Sequence, residues 1–334
     1  MELLILFTGG TIGSAVQDGY IGLENDRPYA LLTYYQERFG IDFDYRTASP
    51  YRILSENSTG AELPALVACI REHITTETDG VIVCHGTDTL PYTAAALGYA
   101  MGSGSIPVCL VSSDYPPADP RANGLENLHA AVQFLRQRAG RGCFVMYRGP
   151  GQSRTAVHRA GRLLDALACS AQVHSLMDIP YGYVYDDGTF APCTAYAARP
   201  DTHAPFFPAA LDASCPQILR LASCPGMAWP TVGEDVRHVL LGCYHSGTVN
   251  TADPAAQAFY REMQRRGIRV WLTGILPGLS YESTRLYESL GLTPLYGLAP
   301  PAAFVKLRLA LACGLDPDAV LLQSVGEDIV PPVA

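Results

Sequence analysis

The first 150 residues switch repeatedly between two hydrophobic patterns. Short apolar runs predict buried strands, and longer stretches with apolar positions three or four residues apart predict helices. The predicted strands cover residues 3–7, 80–84, 106–111 and 143–147, and the predicted helices cover 27–39, 62–73, 90–101 and 123–138. This alternation is typical of an α/β fold, in which helices cover a parallel sheet and ligands bind at the carboxyl ends of the strands. Thr59 and Glu62 have the spacing of a capping box for the second helix.

A stretch from about residue 198 to 234 is rich in Pro, Ala and Ser and predicts an irregular interdomain connection. Beyond it the alternation resumes, with strands expected at 239–243 and 270–273 and helices at 254–266 and 300–313. Asp253 and Pro254 suit the N-cap and first position of the former helix. A chain of 334 residues is long for one core. We therefore expect a larger N-terminal α/β domain over 1–197, the connection over 198–234, and a smaller α/β domain over 235–334.

Composition narrows the possible partners. The chain is 48% hydrophobic and 16% charged, as in an ordinary globular protein. Its net charge of −9 disfavours nucleic acid as a partner. No apolar run is long enough to cross a membrane, and the first residues lack the basic region of a secretion signal, so we expect a cytoplasmic protein without a membrane partner.

The cysteines and histidines do not form a recognisable ligand pattern. None of the ten cysteines is part of a Cys-x-x-Cys pair, and several lie inside apolar runs, which favours buried thiols over disulfides. The eight histidines lack ligand spacing such as His-x-x-x-His. We expect no metal.

Two loops after predicted strands carry candidate chemistry. The first has the sequence Thr8-Gly9-Gly10-Thr11-Ile12-Gly13-Ser14. Adjacent glycines allow a tight turn and close approach to a ligand, although alone they equally suit a structural turn. The loop lacks Gly-x-Gly-x-x-Gly and Gly-Lys-Ser/Thr, which argues against a phosphate site.

The second loop places hydroxyls and a carboxylate at the end of the strand at 80–84. Its sequence is His85-Gly86-Thr87-Asp88-Thr89. Asp88 or Thr89 also suits a plain helix N-cap, but that explanation covers only one residue. Both loops would lie at the same edge of the sheet.

Together these loops resemble the signatures of the bacterial-type L-asparaginase family, Thr-Gly-Gly-Thr-Ile and His-Gly-Thr-Asp-Thr. The resemblance extends through Tyr92–Leu97 to the segment Ala302–Leu307 near the end of the chain. It implies two α/β domains and hydrolysis of L-asparagine to L-aspartate and ammonia through an acyl-enzyme. It also implies that no cofactor is needed and that the chain forms a homodimer or homotetramer.

The resemblance implies roles for particular residues. Thr11 would be the nucleophile, and Tyr20 would activate it from a flexible lid over 14–25. Thr87 and Asp88 would form the second reacting cluster, and Asp88 would also hold the α-ammonium of the substrate.

Further residues would bind substrate. Ser55 matches the family's α-carboxylate ligand, and Glu56 would assist with the ammonium; the alternative for both is a surface turn. Gly86 belongs to the second loop, and Ser113 occupies the position of an oxyanion donor, alongside the Thr11 N–H. Thr248 would reach a neighbouring subunit's site where the family commonly has Gly-Asn, although an ordinary turn fits equally well.

One feature departs from the family. The second cluster normally includes a lysine, yet the only lysine here is Lys306, at a structural position. Spacing places His158 where the lysine belongs, with Arg159 adjacent. We expect His158 to replace the lysine, because histidine exchanges protons near neutral pH whereas arginine is a fixed cation. The alternative is that His158 faces solvent and the cluster is weakened.

Three other functions stay open. The substrate could be another small amide, such as glutamine, because one methylene is a weak discriminator. The chain could be an amino-acid-binding homologue with poor turnover. An amidotransferase subunit acting on charged transfer RNA shares the Leu-Ser-Glu-Asn wording at Ser55, but the acidic charge and the lack of an added N-terminal domain argue against it.

Overall fold

The structure is a computed structural model that describes residues 1–17, 20–23, 29–278 and 280–332. Its strands are β1 Glu2–Phe7, β2 Ser14–Gln17, β3 Tyr20–Leu23, β4 Asp44–Ala48, β5 Thr78–Cys84, β6 Val108–Val111, β7 Cys143–Tyr147, β8 Arg154–Arg159, β9 Gly182–Tyr185, β10 Phe190–Pro192, β11 Ile218–Ala222, β12 His238–Gly242, β13 Arg269–Ile275 and β14 Leu292–Tyr296. Its α-helices are α1 Ala30–Phe39, α2 Leu63–His73, α3 Leu90–Met101, α4 Gly124–Arg136, α5 Pro254–Arg265, α6 Pro300–Ala312 and α7 Pro317–Leu321.

The larger sheet has eight strands in the order β10-β9-β8-β7-β6-β5-β1-β4. The five neighbouring strands β4, β1, β5, β6 and β7 are parallel, and the sequence predicts a parallel sheet. Strands β8, β9 and β10 each pair antiparallel with the strand before them, so the sheet is mixed. The α/β fold class with a larger and a smaller α/β sheet is confirmed, and β2 and β3 form a separate two-stranded hairpin.

Alternating side chains of β1 divide the core of this sheet into two layers. Leu3, Ile5 and Phe7 pack with α1 and α4 on one face, whereas Leu4 and Leu6 pack with α2 and α3 on the other. Because successive side chains of a strand point to opposite faces, a strand buried on both faces must be apolar throughout. The apolar run at 3–7 is the direct consequence of this burial.

The smaller sheet has four parallel strands in the order β11-β12-β13-β14. Helix α5 packs on one face, and α6 packs on the other, where it also contacts α3 of the larger sheet. Strand β11 lies inside the 198–234 stretch, so the prediction of an irregular connection there was wrong over Ile218–Ala222. This edge strand is half-exposed and therefore lacks an apolar run.

The two predicted helix caps have different outcomes. The Asp253 carboxylate accepts a hydrogen bond from the Ala255 N–H at 3.2 Å and caps α5, as predicted. The capping box of Thr59 and Glu62 was wrong. Helix α2 begins only at Leu63, and the Glu62 carboxylate instead bonds Ser58 and the Gly60 N–H.

All ten cysteines are free thiols, and those in the strands of the larger sheet are buried. Within the described ranges, no group of three His, Cys, Asp or Glu side chains is arranged to hold a metal ion. No helix in the described part of the chain has both the length and the apolar character of a membrane span.

Candidate active site

The candidate loops follow β1 and β5, which are neighbours in the sheet although α1, β4 and α2 separate them in sequence. The chain leaves β1 toward β4 on one side and then crosses back to β5 on the other. A reversal of this kind opens a crevice at the carboxyl ends of the two strands, which is where doubly wound sheets bind ligands.

Backbone hydrogen bonds tie the first loop to the segment around Ile53. The Gly10 N–H donates to the Ile53 carbonyl at 3.0 Å, and the Ile53 N–H donates to the Thr8 carbonyl at 3.1 Å. The Thr8 hydroxyl donates to the Cys84 carbonyl at 3.0 Å, which joins the first loop to β5 as well. The loop is therefore fixed on both sides, and Thr11 begins a half-buried 3-10 turn that extends to Gly13.

The first and second loops touch through Gly10 and Gly86. Gly10 has φ 74° and ψ −178°, a conformation open essentially only to glycine. A Cβ on Gly10 would lie 2.2 Å from the Gly86 Cα, and a Cβ on Gly86 would lie 2.4 Å from the Ser55 Oγ. Glycine at both positions is what lets the loops pack backbone to backbone.

Asp88 is held by a hydrogen bond from Ser55. The Ser55 hydroxyl donates to Asp88 Oδ2 at 2.7 Å, and the Thr89 hydroxyl donates to the Ser55 carbonyl at 3.2 Å. Thr89 is the N-cap residue of α3 but makes no side-chain cap bond. The simple capping explanation of this loop therefore fails, and the structure brings Ser55 and Asp88 together.

Thr87 contacts the loop after β6. Its Oγ1 lies 2.8 Å from the Ser112 Oγ and 3.2 Å from the Ser113 carbonyl oxygen. Ser113 is fully buried, and its hydroxyl donates to the Tyr115 carbonyl at 2.6 Å. Ser112 was not predicted from the sequence, although its place directly after a buried strand could have indicated it.

His85 has a structural role in the second loop. Its Nδ1 lies 2.7 Å from the Gly86 carbonyl and its Nε2 lies 3.0 Å from the Thr93 hydroxyl. A carbonyl only accepts, so Nδ1 carries the proton and Nε2 accepts from Thr93. Burial lowers the pKa of His85 and keeps the ring neutral.

Tyr20 and Glu56 both lie at the surface. Tyr20 is in the second strand of the β2–β3 hairpin with its side chain 80% exposed, and no hydrogen bond joins it to Thr11. Parts of the expected lid, residues 18–19 and 24–25, lie outside the described residues. Glu56 is exposed in the 3-10 turn Ser55–Asn57.

The Asparaginase, N-terminal family model matches residues 2–171, about half of the chain. The chain belongs to the asparaginase family. It is thus an amidohydrolase, as the two loops indicated. The matched region includes both loops, Ser55 and the turn at Ser112–Ser113.

Asparaginase-family relatives match over different lengths. A glutamyl-tRNA(Gln) amidotransferase subunit from Halobacterium salinarum is 26% identical over 97% of this chain and 78% of the relative. L-asparaginase from Thermococcus kodakarensis is 34% identical over 140 residues, 41% of each chain.

Solved structures share the asparaginase fold over nearly the whole length. The thermostable L-asparaginase of Thermococcus kodakarensis has a TM-score of 0.78 at 22% identity, covering 99% of this chain and all of that one. The probable cytoplasmic L-asparaginase of Campylobacter jejuni has a TM-score of 0.72 at 22% identity, covering 97% and 99%.

His158, expected to replace the lysine of the asparaginase family, is buried in β8. Its Nδ1 lies 2.8 Å from the Ser175 Oγ, and its Nε2 is buried without a hydrogen-bond partner in the described structure. The ring therefore makes no hydrogen bond to Thr87 or Asp88 in the described structure. Burial lowers the pKa of His158 to about 4. The His158 side chain lines a cavity of about 470 Å³ together with Arg154, His174 and Ser175, among other residues.

The single lysine does not supply the missing cation. The ammonium of Lys306 is fully buried and pairs with the Asp328 carboxylate at 2.8 Å. Thr248 lies in the turn after β12, where its hydroxyl is 3.0 Å from the Ser246 Oγ.

Proposed function

We propose that this amidohydrolase converts L-asparagine to L-aspartate and ammonia, with Thr11 as the nucleophile. The observation that carries the proposal is the packing of the Thr11 loop against the second loop at the β1/β5 switch point, where Ser55 holds Asp88. A nucleophilic hydroxyl, a carboxylate for an ammonium group and a neighbouring hydroxyl then share one crevice.

In this proposal the Thr11 oxygen attacks the side-chain amide carbon while its proton passes to the Tyr20 oxygen, and the Tyr20 hydroxyl gives its own proton to the amide nitrogen. With this proton the nitrogen leaves as ammonia when the C–N bond breaks, and aspartate remains as an ester on Thr11. Water attacks this ester and restores the Thr11 hydroxyl. Because the Tyr20 side chain is 80% exposed, the β2–β3 hairpin must close over bound substrate for this chemistry.

Substrate binding would exchange partners at Ser55. The Ser55 hydroxyl has one proton and donates it to Asp88 in the free protein. An incoming α-ammonium would take over Asp88, which frees the Ser55 proton for the α-carboxylate. Glu56 is exposed beside this position and would add a second carboxylate for the ammonium. The Thr11 N–H and a donor at Ser113 would serve the oxyanion.

We further propose a cytoplasmic homodimer or homotetramer in which Thr248 of one subunit borders the crevice of the next. The free cysteines fit a reducing compartment. Sedimentation of the wild type and of Thr248→Trp, followed by an activity measurement, tests this assembly. A fully active monomer would contradict it.

His158 stays the proposed substitute for the lysine because of its position in the sequence, and the role would require its buried ring to exchange Ser175 for a partner in the second loop. The variants His158→Ala and His158→Lys test it through pH–rate profiles. Loss of activity with alanine and recovery with lysine would support the role. Full activity of His158→Ala would exclude it.

The deciding experiment for the function is ammonia release from asparagine and glutamine by the wild type and Thr11→Ala. We expect asparagine to be the better substrate and Thr11→Ala to lose almost all turnover. Thr189→Ala is the matched control, because it removes a threonine hydroxyl that bonds Asp187 at the surface, away from the crevice. Unchanged turnover in Thr11→Ala would refute the nucleophile.

Two observations favour other functions. The 26% identity to an amidotransferase subunit over 97% of the chain favours an ammonia-supplying subunit. Ammonia release from glutamine that depends on glutamyl-tRNA would identify that function. The absence of a lysine near Thr87 favours an amino-acid-binding homologue, which would bind aspartate tightly without releasing ammonia from any amide.

A further inference from the structure

We infer that Ser112 is a positioning residue that sets the direction of the Thr87 hydroxyl. This rests on the proposed function, since it assumes that Thr87 takes part in the reaction. Ser112 directly follows β6, its side chain is 0% exposed, and its Oγ lies 2.8 Å from the Thr87 Oγ1.

Counting protons fixes the direction of this hydrogen bond. Thr87 Oγ1 also lies 3.2 Å from the Ser113 carbonyl oxygen, which can only accept, so the Thr87 proton points there. Among the hydrogen bonds of the described chain, the Ser112 hydroxyl bonds only Thr87, so its own proton points to Thr87. The reverse arrangement would bury the Ser112 proton without an acceptor, which is costly.

The turn that carries Ser112 is fixed by buried hydrogen bonds. The Asn127 Nδ2 donates to the Ser112 carbonyl at 2.8 Å, while the Asn127 Oδ1 accepts from the Arg148 N–H at 2.8 Å. The Gly124 N–H donates to the Ser113 Oγ at 3.1 Å. Ser112 therefore presents its hydroxyl from a rigid support, as a positioning group requires.

The hydrogen-bond chain leaves one lone pair of Thr87 unassigned. Its proton is committed to Ser113, and one lone pair accepts from Ser112, so the other is available to a water molecule or a substrate N–H. A neutral hydroxyl here donates to Thr87 without bringing a charge. Its effect should therefore not vary with pH, in contrast to an ammonium donor.

A double-mutant cycle tests this inference with Ser112→Ala, Thr87→Val and the double variant, using asparagine at several pH values. We expect Ser112→Ala to lower kcat roughly tenfold, the loss of one oriented hydrogen bond, with KM and the shape of the pH profile unchanged. In the Thr87→Val background Ser112→Ala should have no further effect, because it acts through Thr87. Ser324→Ala, which removes another fully buried serine hydroxyl, is the matched control and should leave kcat unchanged.

Independent, additive effects of the two substitutions would overturn the inference, and so would an unchanged kcat in Ser112→Ala. Failure of the proposed function looks different, because the wild type itself would then release no ammonia from any amide. In that case the same cycle is measured by calorimetry as aspartate affinity. Coupling between Ser112 and Thr87 supports the inference there, and additivity overturns it.

Discussion

Replacing Gly10 by alanine tests whether the backbone contact between the two loops positions the active site. The added Cβ would lie 2.2 Å from the Gly86 Cα and 2.4 Å from the Gly86 N. Carbon atoms pack at about 3.5–4.0 Å, so the loops must separate by at least about 1 Å.

The expected cost follows from two sources. The φ of 74° with ψ −178° is a conformation that costs a non-glycine residue about 1–3 kcal/mol. Forcing extra volume into a packed contact adds about 1–3 kcal/mol. The sum of about 2–6 kcal/mol is below most of the typical stability range of about 5–15 kcal/mol, so we expect Gly10→Ala to stay folded. Moving Thr11 by about 1 Å should lower kcat/KM roughly 100-fold.

The assays are urea denaturation and ammonia release from asparagine. Gly13→Ala is the matched control from the same loop, because its Cβ would meet no atom within 4 Å and its φ is not positive. We expect Gly13→Ala to change stability by less than about 0.5 kcal/mol. If Gly10→Ala kept the stability and kcat/KM of Gly13→Ala, the contact between the loops would not position the site.

Three other substitutions have defined outcomes. Lys306→Met should lower the free energy of unfolding by about 3–5 kcal/mol, because it leaves the buried carboxylate of Asp328 without its cation. Adding Asp328→Asn should recover part of this loss. Equal urea midpoints for the wild type and Lys306→Met would contradict the prediction. Ser55→Ala should raise KM for asparagine roughly 10- to 100-fold with little change in kcat, because the variant loses the hydroxyl that bonds Asp88 and that would bind the substrate carboxylate. An unchanged KM would disprove the binding role of Ser55. Burial lowers the pKa of His158 to about 4 in the folded protein. Between pH 6.5 and 4 the histidine is therefore protonated in the unfolded chain but neutral in the folded one. The free energy of unfolding should fall by on the order of 3 kcal/mol as the pH is lowered through this range. His158→Asn should flatten this dependence in urea titrations, whereas an unchanged slope would argue against it.

The sequence predicts the elements that are buried on both faces far better than those at the edges. Strand β7 is a continuous apolar run, β1 is one after Glu2, and β5 ends in one over residues 81–84, so their positions follow directly from the pattern. Strand β4 is mostly polar and half-exposed because it lies at the edge of the sheet, and β11 lies at the edge of the smaller one. Such strands are held by hydrogen bonds to a neighbour that cannot be seen in a local pattern.

The candidate site was predictable where motif residues carry it and less so where tertiary contacts do. The loops of Thr11 and Asp88 follow from their sequence signatures, and the structure places them side by side. The role of Ser112 could not be predicted, because its hydrogen-bond partner Thr87 is 25 residues away in the sequence. Spacing assigns His158 to the lysine position, but spacing carries no information about the hydrogen bond between its ring and Ser175, which is 17 residues away.

The burial of Lys306 also determines how the protein can be chemically modified. Its ε-ammonium is fully enclosed and paired with Asp328, so the lysine that acylating reagents usually modify is withheld from solvent. A lysine introduced at an exposed position would then be the one lysine side chain among the described residues that such reagents reach. The choice of that position would therefore decide where a single fluorophore or surface tether attaches, and it can be kept away from the crevice.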